Sequence, residues 1–308
     1  MIQNLLILVA GLILLIKGAD FFIKGASSIA QKFKIPQIII GLTIVAMGTS
    51  APEASVSISS ALKGSAGVAI GNVLGSNIIN ILLILGLTSA ICALKLQKAT
   101  VKFEMPFLFF ITLLLCAMGY FYHSINRIGA LILLLLFVVF LIYLFKIAQS
   151  NQDEEVQQDK CENIFKMILF VVGGLCALVY GSNLTVDSAI NIAKMLNVSE
   201  RIIGLTIVAI GTSLPELVTC VIAALKKQPD IAIGNIVGSN IFNILFVLGV
   251  TCLITPVAFD SAFFFDAIIA IVSVILLYLF TCRDKYLTRI EGVGFLLFYG
   301  VYLYYLIR

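Results

Sequence analysis

Apolar runs long enough to cross a bilayer follow one another along almost the whole chain. A spanning helix needs roughly 20 mostly apolar residues. Ten stretches meet that requirement: 3–26, 36–62, 68–92, 103–122, 126–146, 164–188, 200–225, 231–254, 262–281 and 289–307. They are apolar throughout rather than alternating with period two, so they predict helices and not the strands of a barrel. The first lacks a basic leader, and its counterpart recurs in mid-chain, so it reads as a retained helix rather than a signal peptide.

Composition supports the same solvent. The 308 residues are 61% hydrophobic and 12% charged, where a soluble domain carries about a quarter charged residues. The net charge of +4 does not indicate nucleic acid, because the basic residues sit at helix ends. Trp is absent, so interface anchoring falls to Tyr, Lys and Arg. Cysteines 92, 116, 161, 176, 220, 252 and 282 have no paired spacing and read as small packing residues.

One segment occurs twice. Residues 41–87, GLTIVAMGTSAPEASVSISSALKGSAGVAIGNVLGSNIINILLILGL, align with 204–250, GLTIVAIGTSLPELVTCVIAALKKQPDIAIGNIVGSNIFNILFVLGV, at a constant offset of 163 and with 27 identities in 47 positions. The matches include Gly, Thr, Ser, Pro, Glu and Asn, which shared apolarity does not produce. The chain therefore divides into a first repeat, 1–148, a short acidic linker, 149–163, and a second repeat, 164–308. The linker reads as a solvated cytoplasmic connection.

Each repeat holds five predicted helices, and an odd number sends the second repeat into the membrane from the opposite side. Loop charge agrees. With the N-terminus outside, the inner connections carry 14 Lys and Arg and the outer ones 5, with Lys17 inside the first helix. That bias follows the positive-inside rule and puts both termini outside. The expected fold is an all-α membrane protein of ten transmembrane helices in two inverted-topology repeats. It is placed in the cell (inner) membrane, with helices 2, 3, 7 and 8 broken around a central site.

The chemistry lies in the repeated segment. GTS-x-PE occurs at Gly48–Glu53 and Gly211–Glu216. A carboxylate at membrane depth is costly and points to function. Pro52 and Pro215 remove a backbone donor and clash with the preceding turn. Each helix should open there, freeing carbonyls around Ala46–Gly48 and Ala209–Gly211. With Thr49, Ser50, Thr212 and Ser213, each repeat then offers oxygen ligands alone, a set suited to hard cations such as Ca²⁺ and Na⁺. The next helix carries GN-x-x-GSN-x-x-N, adding the oxygens of Ser76, Asn77, Asn80, Ser239, Asn240 and Asn243. Gly71 and Gly75 are spaced to admit a neighbouring helix. Any one of these features alone is ordinary packing or a kink, but their joint recurrence at the repeat interface points to an ion site. Lys17 and Asp20, three apart in the first helix, read as a mutually neutralising pair.

These two motif pairs resemble the alpha-repeats of sodium/calcium exchangers, within the Ca²⁺:cation antiporter superfamily. The resemblance implies Na⁺/Ca²⁺ antiport by alternating access, with Ca²⁺ and Na⁺ as substrates, the lipid bilayer as surroundings and no cofactor. Carried over by position, it implies ligands at Glu53, Glu216, Thr49, Ser50, Thr212, Ser213, Ser76, Asn80, Ser239 and Asn243, with the carbonyls of Ala46 and Ala209. It also implies that helices 1 and 6 slide against the rest. Potassium-dependent relatives place Asp where Asn243 stands here, which favours coupling without K⁺. Proton-coupled relatives resemble GN-x-x-E, whereas this chain has GN-x-x-G twice. A Ca²⁺/H⁺ or broader divalent-cation exchanger, and a passive cation channel, are the alternatives. An intramembrane enzyme fits less well, because no nucleophile–base pair is evident.

Overall fold

The computed structural model describes residues 2–63, 67–150, 163–196, 209–260 and 262–307. The acidic connection 151–162 and the entry to the seventh predicted span, 197–208, lie outside the described residues. The described elements are helices, joined in places by two-residue strands. In chain order they are α1 (Ile2–Lys32), α2 (Gln37–Thr49), α3 (Ala51–Leu62), α4 (Gly67–Ile91), β1 (Leu94–Lys95), α5 (Thr100–Tyr122), β2 (Ser124–Ile125), α6 (Arg127–Ser150), α7 (Ile164–Met195), α8 (Ala209–Thr212), α9 (Leu214–Leu225), α10 (Pro229–Ile254), β3 (Val257–Ala258), α11 (Ala262–Thr281), β4 (Tyr286–Leu287) and α12 (Arg289–Ile307).

Among the described residues, seven helices are long and apolar enough to cross a membrane: α1, α4, α5, α6, α7, α10 and α11. The pair α2–α3, bent by 47°, makes an eighth if counted as one span. The described part of the seventh predicted span is α8 with the shorter apolar α9, and the tenth predicted span coincides with α12.

Burial sorts these helices into a centre and a shell. In their most apolar stretches α4 and α10 are 72% and 83% buried, against 22–39% for the other five. The shell presents Phe121, Leu135, Phe165 and Leu297 outward. A continuous apolar exterior of this kind requires lipid around it. The long pair α1 and α7, at 31 and 32 residues, runs to about 47 Å, beyond the ~30 Å hydrocarbon core, so tilt or protrusion is required.

Small residues set the α1–α7 distance. A Cβ built on Gly18 would stand 2.8 Å from the Leu178 nitrogen, and one on Gly174 would stand 2.5 Å from the Phe22 nitrogen. The centre uses the same device: a Cβ on Gly238 of α10 would meet the Leu42 Cα of α2 at 2.7 Å. The approach expected at Gly71 and Gly75 is not seen among the described residues: a Cβ on Gly71 would meet only the Phe263 ring, at 3.4 Å, and one on Gly75 nothing within 4 Å.

Among the described residues, the breaks within the motif segments fall at the prolines. Ser50 (φ −82°, ψ 9°) separates α2 from α3, and Ser213 (φ −90°, ψ 8°) separates α8 from α9, with Pro52 and Pro215 in the first turn of the following helix. Helices 3 and 8 of the prediction, α4 and α10, were expected to be broken and are continuous. Neither motif segment contains a proline, so every donor survives, and the backbone widens into π-helical turns at Ile79–Leu85 and Asn243–Val247 instead.

The expected Lys17–Asp20 pair does not form. Asp20 takes Lys226 from the end of α9, with Nζ at 2.6 Å from its carboxylate and 3.1 Å from its carbonyl oxygen. Two acceptors on one residue hold that ammonium, and only tertiary packing brings it there. The six described cysteines are all free; Cys220 and Cys252 are buried in the packing expected of them, whereas Cys176 and Cys282 are exposed.

Gly174→Ala should lower stability by about 1–3 kcal/mol through backbone overpacking. Gly173→Ala meets nothing within 4 Å among the described residues and should be neutral or slightly stabilising. Thermal melting of the purified variants in detergent checks the contrast.

Candidate functional site

The proline in each motif does two things at once. It ends one helix, and it places the adjacent glutamate in the first turn of the next, where unpaired backbone N–H groups favour negative charge. Glu53 and Glu216 are both 1% exposed, so neither faces lipid. The carbonyls that lose a donor are those four residues before each proline, Gly48 and Gly211. Ser182 of α7 caps the second, its Oγ donating to the Gly211 oxygen at 2.9 Å.

The expected freed carbonyl at Ala46 is in use. It accepts from the Ser50 N–H at 3.0 Å, with the Thr49 and Ser239 hydroxyls each at 3.4 Å. The break lies two residues further on, so the Ala46 donor survives. Ala209 opens the described part of α8, and Ser213 N donates to Ile210 O at 3.1 Å.

The two repeats meet by exchanging equivalent hydrogen bonds. Ser50 Oγ donates to Glu216 Oε1 at 2.9 Å, and Ser213 Oγ donates to Glu53 Oε1 at 3.2 Å. Each glutamate is thus held by the hydroxyl beside the other, which brings both carboxyls to one centre. Around them, Asn77 Nδ2 donates to Asn240 O at 3.2 Å, and Asn240 Nδ2 returns the bond to Asn77 O at 3.3 Å. Asn80 Nδ2 reaches Asn240 Oδ1 at 2.9 Å, and Asn243 Nδ2 reaches Asn77 Oδ1 at 3.2 Å. Every one of these pairs is related to its mate by the sequence offset of 163.

Further out, Asn72 Nδ2 donates to Ser57 Oγ at 2.9 Å and to the Glu53 carbonyl at 3.1 Å, while Asn235 Nδ2 approaches Cys220 Sγ at 3.3 Å. Thr49 Oγ1 lies 2.9 Å from Asn235 Oδ1, and Ser239 is buried beside it. Ser76 is buried in α4 next to Asn77. Thr212 is half-buried and, with Gly211, Pro52, Ser55, Asn183 and Asp187, lines a cavity of about 310 Å³ that reaches both helix breaks.

Four buried oxygens in this centre lack a hydrogen-bond partner: Glu53 Oε2, Glu216 Oε2, Asn80 Oδ1 and Asn243 Oδ1. Buried acceptors left unpaired are rare and costly. Here they come two from each repeat, as equivalent positions. Acceptors without donors, with no nitrogen or thiolate among them, match a cation that binds oxygen.

A family model for the sodium/calcium exchanger protein matches residues 3–146 and 166–308. The chain belongs to the sodium/calcium exchanger family. The exchanger is 33% identical to the sodium/calcium exchanger MaX1 of Methanosarcina acetivorans, with 97% of each chain covered. It is also 33% identical to the inner membrane protein YrbG of Escherichia coli, covering 94% of this chain and 92% of that one. The solved sodium-calcium exchanger NCX_Mj, soaked with 2.5 mM Na⁺ and 1 mM Sr²⁺, matches at 31% identity with a TM-score of 0.86 over 98% of each chain. The exchanger is a multi-pass membrane transporter and not an enzyme.

The sequence pattern singled out both glutamates, Ser50, Ser213, Asn77, Asn80, Asn240 and Asn243, which the structure brings together. It assigned nothing to Asn72, Asn235 or Asp187. The first two belong to the quoted GN motif, which was a usable signal. Asp187 lies outside the repeated segment, and only the cavity reveals its neighbours.

Asn77→Leu and Asn240→Leu should each destabilise the protein by about 1–3 kcal/mol, because each strands a buried carbonyl and a buried amide partner. Chemical or thermal unfolding in detergent measures both.

Proposed function

We propose that the exchanger is a secondary active antiporter that trades Na⁺ for Ca²⁺ by alternating access. The observation that carries the reading is the set of four unpartnered buried oxygens on Glu53, Glu216, Asn80 and Asn243. The proposed ligands are those four residues together with Thr49, Ser50, Thr212, Ser213, Ser76, Ser239 and the carbonyl of Ala209; the Ala46 carbonyl, already held by its helix, is left out.

The charge arithmetic supplies coupling. Two ionised glutamates give an empty site near −2, which a closed low-dielectric state tolerates poorly. One Ca²⁺, or several Na⁺, offsets that charge and allows the switch. Both ions use the same oxygens, so they compete, and the empty carrier seldom crosses.

The proposed architecture is ten spanning helices in inverted repeats, 1–148 and 164–308, joined by the acidic linker 149–163, with both termini outside the cell (inner) membrane. Its support is reciprocity: a two-fold relation makes residue i meet j while j's counterpart meets i's. The site hydrogen bonds have that form. The strands repeat it, since β1 pairs with β4 and β2 with β3. In this orientation the cavity lined by Asp187 opens outward and is the ion's access from that side.

Na⁺ rather than H⁺ is favoured by GN-x-x-G in both repeats and by the similarity to MaX1 and NCX_Mj, both named sodium/calcium exchangers. The test is ⁴⁵Ca²⁺ uptake into proteoliposomes under imposed Na⁺, K⁺ or H⁺ gradients. Uptake should follow the Na⁺ gradient alone, and uptake that follows pH and ignores Na⁺ would overturn the coupling. Glu53→Gln and Glu216→Gln should each abolish exchange while melting close to the parent protein, and full flux in either would remove the assignment. Asp187→Asn should raise the Ca²⁺ concentration needed for half-maximal uptake by a few-fold, most at low ionic strength, as expected for lost electrostatic focusing.

A further inference from the structure

We propose that the face between α5 and α6 carries a second, separate cation site, one that takes an organic ammonium ion bearing an N–H donor. Glu104 sits in the first, π-helical turn of α5 and is 3% exposed, although it plays no part in the central site. Its Oε1 accepts from the Tyr143 hydroxyl of α6 at 2.8 Å, its Oε2 is buried with no hydrogen-bond partner, and the Thr100 hydroxyl one turn back is likewise unpartnered.

The carboxyl lines a cavity of about 230 Å³ whose other walls are Phe103, Phe107, Val139, Phe140 and Tyr143. Four of those five are aromatic, and they form a connected group. Phe107 and Phe140 stack at 5.4 Å between centroids, Phe140 and Tyr143 lie at 6.3 Å, and Phe103 and Tyr143 lie at 6.3 Å. Aromatic faces around a carboxylate favour a large, weakly hydrated cation. A hard metal ion would need six or more oxygens, which these walls do not offer. Phe103 already draws the protein's own ammonium, with Lys102 Nζ at 5.7 Å from its ring centroid.

A helix tie alone does not explain the arrangement. In the second half Asp266 of α11 accepts from Tyr302 of α12 at 2.9 Å, which is the same acid–tyrosine tie. Asp266 is only partly buried, so its second oxygen can be solvated. The Glu104 oxygen is buried beside a cavity, among rings. Phe103 and Val139 are each 51% exposed, so the cavity borders the lipid-facing surface. The ammonium can therefore come from a free alkylamine or from the ethanolamine headgroup of a lipid.

The experiment is equilibrium dialysis of radiolabelled n-butylammonium against the full-length protein in phosphatidylglycerol nanodiscs. Saturable binding is expected, weakened about tenfold or more in Glu104→Gln and in Phe140→Leu. Glu104→Gln should keep its ⁴⁵Ca²⁺ exchange, which shows that it folds. Excess Ca²⁺ should leave the amine in place. Adding phosphatidylethanolamine to the nanodiscs separates the sources: displacement assigns the site to the lipid headgroup, and no displacement assigns it to free amines. Absence of saturable binding, equal binding by Glu104→Gln, or displacement by Ca²⁺ would each overturn the proposal.

Discussion

A carboxylate cannot rest in the middle of a bilayer unless something meets its charge and its lone pairs. This protein places two there, and much of the centre is organised around holding them. Ser50 and Ser213 satisfy one oxygen of the opposite repeat's glutamate, and the other oxygen of each is left open. Because each hydroxyl belongs to the same chain break as the other glutamate, neither half can hold its acid alone. The two repeats must be docked for either to be stable.

The backbone devices follow from that demand. A proline next to the glutamate ends one helix and starts another, so the acid gains the N-terminal turn of a short helix. Where no proline is present, as in α4 and α10, the chain keeps its hydrogen bonds and widens instead. Those π-helical turns contain Asn80 and Asn243, whose amides each donate across the repeat interface while their oxygens stay unpaired. Breaking and widening are two ways of giving polar atoms to the interior of an apolar bundle without exposing backbone to lipid.

The periphery follows other rules. Glycines let α1 and α7 touch backbone to backbone, and paired acid–tyrosine contacts tie α5 to α6 and α11 to α12. Such polar ties are costly to leave unsatisfied and modest in net effect when complete. The incomplete one at Glu104 therefore stands apart from the tie at Asp266.

The solvent, the helical segments, the doubled motif and the acids at its heart are all legible along the chain. Those properties are written in local composition and in a repeat with a constant offset, and bilayer thickness converts them directly into elements. The sequence also located the two proline breaks, because a missing N–H is a property of one residue. That α4 and α10 stay whole is settled by docking, since a helix without proline can open or widen depending on what packs against it. The tertiary structure alone paired Asp20 with Lys226 rather than Lys17, across more than two hundred positions. It alone showed which oxygen of each glutamate and asparagine is left unpaired. Partner choice between distant groups depends on how the helices dock, and no window of sequence contains that information.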